Sequence, residues 1–143
     1  MKKFTICLLC LLMIFSCTTI PAVAANSDIV PFYNNVIDTT TLFTISNSGV
    51  AEVVISYDGI QGVTTGATIT TKIQKRTLGL IWTKIDIGTT NNEWVDTATG
   101  VTYSTSHSVA LPNTGTYRVV VTYEISGTGG ATDEIEDIRT AEY

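Results

Sequence analysis

From Leu42 onward the chain alternates apolar and polar residues at period two, and turn residues interrupt it about every 8–14 positions. Phe43 and Ile45 share one face of a short first strand that Asn47-Ser48-Gly49 ends. Ala51, Val53, Ile55 and Tyr57 mark a second strand, closed by the turn signal Asp58-Gly59. In the third, Ile69, Thr71 and Ile73 alternate with Thr70, Lys72 and Gln74. Gly79 opens a fourth over residues 80–87, with Ile81, Ile85 and Ile87 on its core face and Thr83 between them. Residues 103–111 make a fifth. The strongest is the sixth, where Tyr117, Val119, Val121, Tyr123 and Ile125 face Arg118, Val120, Thr122 and Glu124. Residues 132–143 are weaker, because Ile135 and Ile138 stand three apart, a spacing that suits a bulge or a helical turn as well as a strand. Residues 88–100 form a polar connection, and residues 26–41, with Pro31 and Asn34-Asn35, an N-terminal linker expected to be partly mobile. The pattern predicts an all-β fold over residues 42–143, an antiparallel β-sandwich of about seven strands.

Residues 1–25 follow the secretory pattern: Lys2 and Lys3, an apolar run from Phe4 to Phe15, then Ala22-Val23-Ala24-Ala25. The apolar run falls short of the about 20 residues that span a bilayer, so a signal peptide cut near Ala24 or Ala25 is expected. Cys7, Cys10 and Cys17 all lie inside this leader. A rival reading makes Cys17 a lipidated N-terminus, but the bulky Phe15 fits that recognition pattern poorly. With the conventional cut the chain is exported without a disulfide, which suits a bacterial exterior. Release into the medium or loose association with the cell surface is the expected location.

Removing the leader leaves 6 basic against 13 acidic side chains, a formal net charge of −7. That balance argues against nucleic acid or an anionic membrane as the main partner, and no membrane insertion of the mature chain is expected. Thr occurs 23 times after residue 25, which strengthens the strand reading over any helical one.

Leu111-Pro112-Asn113-Thr114-Gly115-Thr116-Tyr117-Arg118-Val119 resembles the turn into the sixth strand of immunoglobulin-like domains. The resemblance implies that the Tyr117 hydroxyl ties back to the preceding turn and that Trp82 is a buried third-strand tryptophan. It also implies a cysteine-free relative, since Val119 and its second-strand counterpart stand where a disulfide would be. Gly49-Val50-Ala51-Glu52-Val53, Ile73-Gln74-Lys75, Trp82-Thr83-Lys84-Ile85 and Gly115-Thr116-Tyr117-Arg118-Val119 together resemble small exported single-domain proteins of clostridia and their relatives, a family of unassigned function. This second likeness implies a leader and one domain, and no activity.

The inventory of reactive groups argues against an enzyme. His107 is the single imidazole, and on a strand the flanking Ser106 and Ser108 point to the opposite face. A partly buried, hydrogen-bonded histidine beside Tyr103, Thr105, Val109 and Leu111 is expected instead. A glycosidase needs two carboxylates about 5–10 Å apart in a cleft, which a chain this small hardly provides. Gly127-Thr128-Gly129-Gly130 has no Lys or helix after it, as a phosphate cradle requires. Asp133, Glu134, Glu136 and Asp137 suit calcium by chemistry, but not by EF-hand spacing, and a solvated acidic edge is the expectation. No cofactor and no metal is expected.

The aromatic residues carry the remaining signal. Parity puts Trp82 outward beside Lys84, in conflict with the immunoglobulin resemblance, and Trp94 follows Asn91-Asn92-Glu93 at a loop or edge. Trp94, Trp82 and Tyr103 are the candidate ligand-binding residues of a non-enzymatic module for an extracellular glycan or surface protein. A structural or self-associating surface protein is the alternative, and an exported toxin or antibacterial factor a further one.

Overall fold

The period-two pattern builds eight β-strands in the computed structural model, which describes residues 32–143. They are β1 (Val36–Ile45), β2 (Val50–Gly59), β3 (Thr64–Thr77), β4 (Ile81–Lys84), β5 (Trp94–Thr99), β6 (Thr102–Ala110), β7 (Thr116–Gly127) and β8 (Asp133–Glu142). Every pairing is antiparallel. One sheet has the order β1-β2-β6 and the other β4-β3-β7-β8. β5 shares an edge of β3 with β4: it pairs residues 66–71, and β4 pairs residues 74–77. No helix among the described residues is long and apolar enough to cross a membrane. The expected leader with its three cysteines, and the first part of the expected linker, lie outside the described residues.

The core follows the inward faces of the three central strands. Ala51, Val53 and Ile55 of β2, Ile69 and Ile73 of β3, and Tyr117, Val119, Val121, Tyr123 and Ile125 of β7 have no exposed surface. Each such side chain contributes roughly 1.5–3 kcal/mol of burial if it is a large aliphatic or aromatic one. Tyr123 also ties the sheets together by polar contacts. Its hydroxyl donates to Thr40 O at 2.9 Å and lies 2.8 Å from Thr41 Oγ1 on β1.

Four details differ from the sequence pattern. There are eight strands rather than about seven, because β5 lies within the polar stretch 88–100. Its inward residues are Trp94, Asp96 and Ala98 and its outward ones Val95, Thr97 and Thr99, so a buried-side acid and an exposed valine mask the alternation. β1 begins at Val36, not at Leu42, so residues 36–41 of the expected linker are strand. β4 ends at Lys84: Ile85 still donates its amide to Ile73 O (3.1 Å), and Ile85 and Ile87 are buried beyond the strand, while Ile81 is exposed. β8 is a regular strand with no register shift, so Ile135 and Ile138 fall on opposite faces.

The N-terminus of the described chain is clasped by the β7–β8 connection. The Asp133 carboxylate accepts the amides of Asn34 (2.9 Å) and Asn35 (2.6 Å). The Asn35 side chain donates to Ala131 O at 2.7 Å and accepts the Gly129 amide at 3.2 Å. A Cβ at Gly129 would lie 2.1 Å from Asn34 O, so this glycine serves close approach of two backbones.

Candidate functional site

The three aromatic candidates do not converge. Trp94 and Tyr103 meet where the chain crosses from β5 to β6, and Trp82 stands on the opposite side of the five-stranded sheet.

At the crossing, His107 of β6 is the organiser. Its Nε2–H donates to Asp96 Oδ2 at 2.7 Å, and its ring stacks on Trp94 with centroids 4.7 Å apart and planes 8° from parallel. Tyr103 donates to Asp96 Oδ1 at 3.4 Å and stacks on Tyr57 at 6.4 Å. Trp94 and Tyr103 are half-buried against the core. His107 is therefore a partly buried, hydrogen-bonded histidine, with Ser106 and Ser108 exposed on the other face. The indole of Trp94 spends one face on the imidazole, and the polar groups satisfy each other across the two sheets. This cluster closes the open edge between β5 and β6. Replacing His107 by alanine leaves the Asp96 carboxylate only the longer Tyr103 bond and uncovers Trp94; a destabilisation of about 1–3 kcal/mol in urea denaturation is the expected result.

Trp82 has a different setting. It pairs with Arg76 in the β3–β4 register, on the face that points away from the core, which settles the conflict over its orientation in favour of strand parity. In the next row the register aligns Lys84, Gln74 and Arg118 across β4, β3 and β7. The Arg118 guanidinium lies 4.4 Å from the Trp82 ring centroid, and that of Arg76 lies 6.0 Å away. Arg118 Nε donates to Gln74 Oε1 at 2.7 Å. One bond and one ring beneath it thus fix the plane of the guanidinium. Lys72 shares this face one row further along. Among the described residues the only carboxylate within ion-pair reach of these four cations is Glu93, 2.6 Å from Lys84 Nζ.

The acidic residues of β8 do not gather. Asp133 is buried in the clasp, Glu134 and Glu136 point outward, and Asp137 pairs with Arg139 at 3.0 Å. Among the described residues no three metal-ligating side chains form a group. Two shallow hollows exist elsewhere. One, of about 430 Å³, is bordered by Ser46, Glu52 and Ser108, and the other, of about 490 Å³, by Thr41, Phe43 and Arg139. Neither holds a candidate aromatic. No protein-family model matches the chain, and no curated protein sequence matches it.

Proposed function

We propose that this chain is an exported, non-enzymatic binding module that takes an anionic extracellular glycan on the outer face of β4, β3 and β7. The observation that carries the reading is Arg118, stacked on Trp82 and bonded to Gln74 among cations with a single carboxylate partner. A guanidinium held in one plane loses little entropy on meeting a planar carboxylate or a phosphate, and the indole edge offers apolar surface to a sugar ring. Lys72, Arg76 and Lys84 extend the positive strip, which suits charges repeated along a polymer better than a single one. The module works outside the cell, free or loosely held at its surface.

An immunoglobulin-like fold accompanies this proposal. Two observations support it: the strand orders β1-β2-β6 and β4-β3-β7-β8, and the Tyr117 hydroxyl, which donates to Asn113 O at 2.6 Å in the turn before β7.

The test is retention on immobilised carboxylated and neutral polysaccharides. Wild type is expected to be retained by the charged polymer alone, less so as salt rises. Trp82→Ala and Arg118→Gln, each folded by circular dichroism, are expected to weaken retention about ten-fold, the loss of one stacked or charge-assisted contact. Equal retention of both variants, or none by wild type, would sink the reading.

A further inference from the structure

The β3–β4 hairpin ends in an apolar apex that the fold does not use. Leu78 is 85% exposed, Leu80 84% and Ile81 56%. The last β3 residue paired with β7 is Lys75, opposite Tyr117, so the hairpin beyond it runs past the end of the neighbouring strand. The three-residue loop Leu78-Gly79-Leu80 closes it between the paired Thr77 and Ile81, with Leu80 N donating to Thr77 O at 3.2 Å and positive φ at both Leu78 (53°) and Gly79 (72°). Such a turn favours Asn-Gly or Gly-Gly, because a branched side chain is strained at positive φ. A leucine there meets neither a folding need nor a solubility need, and strain of that kind points to use.

We propose that this apex docks on an anionic lipid surface, with Leu78, Leu80 and Ile81 entering the acyl boundary and the cations behind them at the headgroups. Two features select lipid over a protein groove. Leu78 and Leu80 stand in the closing loop and Ile81 opens β4, so three exposed apolar side chains project from the tip itself and not from one strand face. An apolar medium surrounds such a tip, whereas a groove contacts one side of it. Behind the tip stand Arg76 and Lys75, then Lys84 and Arg118 in one row, then Lys72: five of the six basic residues after residue 25. The net negative charge of the chain hides this end, because Glu124, Glu134 and Glu136 occupy the far rows of the same sheet. Trp82, between Arg76 and Lys84, takes the depth at which amphipathic rings favour a membrane–water boundary. The docking is interfacial and spans nothing.

The cations and Trp82 serve both readings, and the apolar tip distinguishes them, since a polymer has no use for the leucines. The full chain is sedimented with vesicles of phosphatidylglycerol and phosphatidylcholine and with vesicles of phosphatidylcholine alone, beside Leu78→Asn/Leu80→Ser. Asparagine suits positive φ, so the variant keeps its fold, and it carries the same N-terminal residues as wild type. Wild type is expected to bind the anionic vesicles, the variant at least ten-fold less, with polysaccharide retention unchanged. No binding by wild type, equal binding to both vesicle types, or an unaffected variant would overturn the proposal. Vesicle binding without polysaccharide retention would overturn the glycan reading alone.

Discussion

Asp133→Ala is expected to lower stability by about 3–5 kcal/mol, a large share of the roughly 5–15 kcal/mol that holds a domain of this size together. The carboxylate accepts two backbone amides, Asn34 at 2.9 Å and Asn35 at 2.6 Å, and Asn35 has no exposed surface. Hydrogen bonds to a charged acceptor contribute about 1.5–3 kcal/mol each, and alanine leaves both donors without a partner. Asn35 is also the node of the clasp: its side chain bonds Ala131 and Gly129, and its carbonyl accepts the Thr64 hydroxyl. Losing Asp133 therefore loosens the start of β1 and the β7–β8 connection together. Asp133→Asn keeps one acceptor oxygen and should cost about half as much. Urea denaturation of the three proteins measures this, and a midpoint for the alanine variant within about 1 kcal/mol of wild type would mean that water replaces the carboxylate.

The clasp shows where the sequence was informative and where it was silent. β2 and β7 were legible because their inward positions are all apolar and their outward ones mostly polar, so period two specifies both face and register. β5 was not, since its inward Asp96 is satisfied by His107 and Tyr103 on another sheet, partners that no local pattern announces. The residues that hold the N-terminus are the same Asn34-Asn35 and Gly-rich segment that composition marks as loose. Their hydrogen bonds span 94 to 99 positions, beyond any local signal. The Trp82 face has a similar origin. Lys84, Gln74 and Arg118 become one row only through the pairing of β4 with β3 and of β3 with β7. Net charge averaged that row away against acids at the other end of the sheet. The hairpin apex was hidden for a third reason: Leu78-Gly79 occupies a turn whose usual signature is Asn-Gly.

Three buried tyrosines make the protein sensitive to alkali. Burial raises the pKa of Tyr57, Tyr117 and Tyr123 above the ordinary 10.0, with Tyr103 adding to the effect at Tyr57 and Asp137 and Asp38 to that at Tyr123. Each hydroxyl donates to a carbonyl, at Gly100 (3.0 Å), Asn113 (2.6 Å) and Thr40 (2.9 Å), a bond that a phenolate cannot make. Above pH 10 the unfolded chain releases these protons while the folded chain keeps them. Stability is then full below about pH 10 and falls as pH rises toward the folded-state values, by up to about 1.4 kcal/mol per pH unit for each tyrosine. Urea midpoints from about pH 8 to 12, followed beside tyrosinate absorbance, should show a flat region and then a steep fall in which ionisation and unfolding coincide. Tyr123→Phe keeps the ring in the core and should reduce the alkaline slope by about a third, after a loss of about 1 kcal/mol at neutral pH for the bonds to Thr40 and Thr41. Tyrosinate appearing well before unfolding would show that hydroxide reaches the hydroxyls in the folded state. These three bonds would then contribute nothing to the alkaline limit of the fold.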